Sequence, residues 1–347
     1  MPRNMISANH AIFAALDAYC VNRGVAVANA GTARWIATEP TDRKLLKEGH
    51  LNSWTSFSIS RRLARIDHDN RSLFCTVGLT NVAAPPGFSE IDLNGAILTL
   101  LLYELSQQSI VSPLQVKNIV EVSDKASDPT YAGHDFDSIG SLFPIVKVYE
   151  KLDVASEETW KVFFLLCLSE NRGAHSWMND HLNNVLESLC VLDIANIPFD
   201  TLCRSVFDSD PAALFLALYR CMEAVYAYSS ASSLKARLSA PQSWSEIAAI
   251  LEDELNWHPR EESSLTDLMQ YALEIDLTRV YEALGEEVPE TPSLAQSAGR
   301  RIYRLRNILV HYRPTNSRLD YSKVDWNKLC AAMASVVCDM YVGVFAN

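Results

Sequence analysis

The sequence changes character once. Up to about residue 150, short β-branched or aromatic runs alternate with turn formers. From about residue 155, stretch after stretch repeats apolar residues at helical spacing. A chain built this way must confine its strands to the first half and pack helix on helix in the second, so the expected class is α+β. The expected organisation is a mixed α/β domain over 1–150, a helical connector over 151–204 and an all-helical bundle over 205–347.

In the first half, IFAALDAYCV reads as a helix, and VAVANA, ARWIAT and WTSFSIS as short extended runs. RLARIDHDNRSLFCTVGL places two extended runs around an Asp-His-Asp-Asn turn, the pattern of a hairpin. AILTLLLYEL predicts a buried helix, LQVKNIVEVS suits either state, and the turn-rich stretch 123–141 reads as a loop closing the first domain. In the second half, Asp210 before Pro211 predicts a helix N-cap and first turn, followed by Leu214, Leu218, Met222 and Val225 at helical spacing. Helices are expected around WSEIAAILEDEL and SLTDLMQYAL, and after Thr291-Pro292. Trp326, Leu329, Met333, Val336, Met340 and Val344 form the apolar face of a last one.

The eight cysteines are scattered without a C-x-x-C pair, which predicts free, buried thiols in a reducing compartment. The start, MPRNMISANHAIF, lacks a signal-peptide core. The longest apolar runs, AILTLLLY and VFFLLCL, are well short of the roughly 20 residues a spanning helix needs. The expected location is cytoplasmic, with no membrane partner.

The formal charge of −12 excludes the chain as a whole from binding polyanions, so nucleic acid would have to be met at a local basic site. One exists. Ser245–Glu290 carries 13 Asp or Glu against two Arg, and the next stretch, Ser297–Arg318, carries six Arg and no acidic residue. Either these are two solvated faces, or the arginines meet phosphate.

The basic stretch reads GRRIYRLRNILVHYRP from Gly299 to Pro314. On a straight helix, Ile302, Leu305, Leu309 and Tyr312 share one side, while Arg300, Arg304, Asn307 and His311 fall within about 60° on another. Imidazole, with an ordinary pKa of about 6.5, can take a proton from a ribose 2′-hydroxyl near neutral pH. Guanidinium groups can bind phosphate and stabilise the charge that grows during cleavage. This scheme calls for no metal or cofactor.

Arg306-Asn307-x-x-x-His311 resembles the R-x(4–6)-H motif of HEPN-domain proteins, and the flanking IYRLRNILVHYRP resembles the Apea-like branch. FLALYRCMEAVYAY is similar to an earlier core helix of that family, and the likeness spans about 205–345. The resemblance implies a helical bundle that pairs as a homodimer into a composite, metal-independent endoribonuclease, often a toxin or effector in bacterial anti-phage defence. It implies Arg306 and His311 as the catalytic pair with Asn307 beside them. Arg300, Arg304 and Arg313 would hold substrate, and Glu223 and Tyr312 would support the motif. Where relatives controlled by nucleotidyltransferase antitoxins carry Tyr two residues beyond the His, this chain has Arg313. Arg306 and His311 lie about 140° apart on a straight helix, so Arg306 would reach the site across the dimer or by wrapping its side chain. The first domain would then sense a signal or bind a regulatory partner. The alternative is a non-catalytic HEPN-like assembly or regulatory subunit that binds a protein or nucleotide.

Other polar clusters have plainer readings. Arg220 and Glu223, one turn apart, suit an intrahelical pair. Asp67-His68-Asp69 suits a turn, and His134, Asp135 and Asp137 a polar loop, with a metal role open at each. Arg61, Arg62, Arg65 and Arg71 around the hairpin suit a solvated strand face, or contact with RNA or a partner.

Overall fold

The computed structural model describes all residues except 1–3, 29, 31–32, 123–130, 174–175, 193, 195–196, 312–318 and 346–347. The class is α+β: a five-stranded antiparallel sheet with helices in the N-terminal part, followed by helices alone. The chain divides into two units, Met1–Leu166 and Cys167–Asn347. The break expected at 150 instead falls inside a paired strand that runs to Leu152. The expected connector 151–204 belongs in part to each unit.

The sheet of the first unit consists of β1 (His50–Ser56), β2 (Arg62–His68), β3 (Arg71–Val77), β4 (Ser89–Ile91) and β5 (Val146–Leu152), in the order β1-β2-β3-β5-β4. The predicted hairpin is β2–β3, with His68 opposite Arg71 and Asp69 at φ +53° in the two-residue turn. Aspartate tolerates that left-handed conformation better than most side chains. WTSFSIS is strand only through Ser56, and of ARWIAT only Ile36 makes a bridge, to His134. LQVKNIVEVS resolves as the helix α4 (Pro113–Val120), with a capping box between Ser112 and Gln115.

The helix α3 (Gly95–Leu105) is apolar nearly all round, and such a helix must be covered on more than one side. Ile97, Leu100 and Leu101 pack with Ala64, Ile66, Cys75 and Val148 of the sheet and with Leu46 of α2 (Arg43–Glu48). Leu98 and Leu102 pack with Phe13 and Leu16 of α1 (Met5–Val21), Val116 of α4 and Ile139 of α5 (Phe136–Gly140).

The helix α6 (Thr159–Gly173) contains the division between units. In the second unit follow α7 (Asp180–Val191), α8 (Phe199–Val206), α9 (Pro211–Glu223), α10 (Tyr228–Leu238), α11 (Trp244–Leu255), α12 (Glu261–Leu268), α13 (Glu274–Ala283), α14 (Leu294–Val310) and α15 (Trp326–Phe345). Asp210 caps α9 through Ala212 N, as Asp-Pro predicts. The last helix, α15, packs against α7, α9 and α13. Among the described helices it is the one long and apolar enough to cross a membrane. That corrects the expectation drawn from short apolar runs, which ignored small residues such as Ala331, Ala332 and Ala334 that lengthen the apolar stretch. Most of it is buried within the unit, as in a core helix. All eight cysteines are free, and all but Cys338 are buried.

Candidate functional site

The basic helix α14 is capped by Ser293, whose hydroxyl accepts from Gln296 N, and Ala298, Gly299, Ile302 and Leu305 form its buried seam. Gly299 lets it lie close to α12, because a Cβ there would sit 3.2 Å from both Met269 Cγ and Thr266 Cα. This approach brings the first turn of the acidic α12 beside the basic helix.

Arg306 is the centre of the resulting cluster. Its Nη2 lies 3.5 Å from Glu223 Oε1, at the end of α9, and 3.8 Å from Glu261 Oε2, in the first turn of α12. Nη1 donates to Asn307 Oδ1 at 3.1 Å, and the guanidinium carbon sits 5.6 Å from the centre of the Tyr219 ring. Side-chain exposure is 20% for Arg306, 31% for Glu223 and 44% for Glu261. Burial raises the Glu223 carboxyl above its ordinary range; the charge of Glu261 adds to this, and Arg306 and Arg220 oppose it. Burial likewise pushes the Tyr219 phenol up to about 12. Tyr219 and Tyr226 pack edge to face, 6.3 Å between ring centres. The partner of Glu223 is thus Arg306 rather than Arg220, whose side chain forms no ion pair among the described residues.

His311 departs from the helical projection. The helix ends at Val310, and His311 is its C-cap, in extended conformation (φ −103°, ψ 116°), with its backbone N–H donating to Asn307 O at 3.1 Å. Continuing the helix through Pro314 would drive the proline ring into the Val310 carbonyl. The stripe of shared side chains therefore contains Arg300, Arg304 and Asn307 but does not extend to His311. His311 is exposed, and no hydrogen bond joins its ring to Arg306, Asn307 or Glu223. Asn307 holds Arg306 in place instead. Tyr312 and Arg313 lie outside the described residues.

The acidic and basic segments partly neutralise each other. Arg301 meets Glu286 in a two-pronged bond of 2.5 and 2.7 Å, and Arg306 meets Glu261. Arg300 and Arg304 are exposed, without a carboxylate partner among the described residues.

Of the hairpin arginines, Arg61 and Arg71 are exposed as on a solvated face, whereas Arg65 and Arg62 are tied into the fold. Arg65 is 3% exposed, and all its donors are used. Nε donates to Asp67, Nη1 to Ala155 O and Thr159 Oγ1, and Nη2 to Ser72 Oγ and Val154 O, at 2.6–3.1 Å. Arg62 donates to Leu105 O at the end of α3, and Arg71 pairs with Glu150 across β3 and β5. Asp67 also accepts from Ser72 and Asn52, and Asp69 pairs with Lys44. Asp135 caps α5, accepting from Ser138 N and Oγ at 2.9 Å each, while the His134 ring packs 5.0 Å from Phe13. Among the described residues no three His, Cys, Asp or Glu side chains are grouped to hold a metal ion.

Two features escaped the sequence reading. Glu261 sits in the acidic stretch, but nothing in its spacing singles it out. In the first unit, a groove of about 490 Å³ opens beside α1 and α3, lined by Ala11, Ala15, Tyr19, Arg23, Leu102 and Phe143. The guanidinium of Arg23 stacks 3.9 Å from the Tyr19 ring centre. The small exposed residues of α1 at helical spacing were the available signal.

Compared with protein-family models, curated proteins and solved structures, the chain matches none of them.

Proposed function

We propose that the second unit is a metal-independent endoribonuclease of HEPN type, acting as a homodimer in the cytoplasm and serving as a toxin or effector against phage. The observation that carries this reading is that one helix, α14, holds Arg306 against Glu223, carries the exposed Arg300 and Arg304, and ends at an exposed imidazole. His311 takes the proton of a ribose 2′-hydroxyl, and the 2′-oxygen attacks the adjacent phosphorus. The bond from phosphorus to the 5′-oxygen breaks, that oxygen takes up a proton, and a 2′,3′-cyclic phosphate and a 5′-hydroxyl are left. Arg306 stabilises the charge on the phosphorane, Asn307 orients its guanidinium, and Arg300 and Arg304 hold the flanking phosphates, with Arg313 as a further phosphate ligand. The first unit receives the signal or partner that controls this activity.

The test is digestion of RNA by the full-length chain in EDTA, beside His311→Ala. Wild type is expected to release cyclic-phosphate ends, and the variant about one-hundredth as many or fewer. Cleavage of a strand with 2′-deoxyribose at the scissile position would refute the mechanism. A second reading, a non-catalytic assembly subunit, draws on the same Arg306: a guanidinium tied to two carboxylates also serves as a packing node. Growth arrest on expression that His311→Ala relieves decides for the enzyme, and equal growth of both decides for the subunit.

A further inference from the structure

We propose that Glu261 is a carboxylate gate on Arg306, occupying the guanidinium until a polyanionic strand displaces it. This rests on the reading that Arg306 meets substrate phosphate. One cation here faces two carboxylates, both at the same nitrogen, and the two are not equivalent. Glu223 is nearer, at 3.5 Å, and comes from the last turn of α9, whose other side is core. Glu261 is farther, at 3.8 Å, beyond hydrogen-bond distance, and more exposed, on an eight-residue helix whose N-cap, Arg260, makes no side-chain cap bond. Glu261 is thus the weaker of the two holds and the one open to competition.

The guanidinium itself is not free to leave. Asn307 holds Nη1, and the Tyr219 ring lies against the group. A ligand must therefore come to Arg306 and replace Glu261 at Nη2, with Glu223 left in place. A phosphate can form the stronger charge-assisted bond. A single phosphate in water has little advantage over a tethered carboxylate. Arg306 lies about 160° round the helix from Arg304, so only a strand long enough to pass from Arg304 around α14 presents a further phosphate to it at high effective concentration. The gate thus favours strands with several phosphates over mononucleotides, and it keeps Arg306 closed to small anions while Arg300 and Arg304 stay open.

The test measures binding of a cleavage-resistant 2′-O-methyl oligoribonucleotide to the full-length chain by fluorescence anisotropy across salt concentrations. Glu261→Gln should bind about three- to fivefold tighter. Its dependence of log K on log salt should match that of wild type, because the strand reaches Arg306 in both and the number of phosphate contacts is the same. Glu262→Gln makes the same charge change one residue along, without a contact to Arg306, and should bind like wild type. The gain of Glu261→Gln should vanish in the Arg306→Ala background. The gate is overturned if Glu261→Gln and wild type bind alike, if Glu262→Gln gains as much, or if the gain survives Arg306→Ala. Cleavage of ordinary RNA by the same proteins is a separate readout. Tighter binding without cleavage upholds the gate and ends the nuclease reading, whereas cleavage with unchanged binding ends the gate alone.

Discussion

Two groups of arginines, one around the β2–β3 hairpin and one along α14, look alike in sequence, and the contrast between Arg65 in the first and Arg300 and Arg304 in the second shows how far their fates diverge. Arg65 is enclosed and spends its donors on Asp67, Ser72, Thr159 and two carbonyls, so the protein's own oxygens have taken the place of any ligand. Arg300 and Arg304 meet no carboxylate among the described residues and face outward, while Arg306 stands between the extremes, half committed to Glu223 and Glu261. A guanidinium is a binding group only to the extent that its own fold leaves it unsatisfied. Counting arginines in a segment cannot tell the two conditions apart.

The sharpest way to break this contrast is Arg65→Ala. It should cost about 2–3 kcal/mol, because Val154 O, Thr159 Oγ1 and Ser72 Oγ lose a buried donor, while the partly exposed Asp67 keeps Ser72 and Asn52. Against a total stability of about 5–15 kcal/mol, urea melts should show the loss directly. A variant as stable as wild type would mean that the enclosed network contributes nothing. Next in size, His311→Ala should lower RNA cleavage about a hundredfold or more while leaving the melting curve in place. A melting shift with unchanged cleavage would move His311 to the structural side.

Arg300→Ala and Arg304→Ala should each weaken binding of a single-stranded oligonucleotide and flatten its salt dependence by about 0.7, with stability unchanged within about 0.5 kcal/mol. A loss of stability instead would erase the distinction from Arg65. A smaller effect concerns Glu223, which faces Arg306, Glu261, Arg220 and the phenols of Tyr219 and Tyr226. Its pKa is raised by folding, so its contribution to stability is fully present below the unfolded value of about 4.3 and is lost as pH rises through the folded value. Wild type should therefore gain stability relative to Glu223→Gln as pH falls from about 7 to about 4.5, read by urea melts at each pH. The smallest effect belongs to Arg71→Ala, which removes a half-exposed cross-strand pair with Glu150 and should cost at most about 1 kcal/mol.

Local signals were legible where neighbours in sequence supply the whole interaction. Asp210 before Pro211 caps α9, and the Asp69-Asn70 turn joins β2 to β3, because both depend on bonds within a few residues. β5 was missed because its extended state is held by β3, 69 to 81 residues away, and the turn-rich stretch before it reads as a domain end. The end of α14 was missed for a different reason. Helical projection toward Pro314 carried the stripe on to His311, whereas the helix ends at Val310, four residues before the proline.

By itself the sequence determined the α+β class, the helical second half and the presence of one basic segment beside an acidic one. These follow from periodicity and charge, which are properties of runs of residues. Only the tertiary structure decided which charges meet. The close approach of α14 to α12 at Gly299 sets Glu261 against Arg306, and the sheet encloses Arg65 while Arg300 and Arg304 remain open. Whether a charged group is satisfied depends on oxygens brought to it from distant parts of the chain. A linear pattern does not contain those distances.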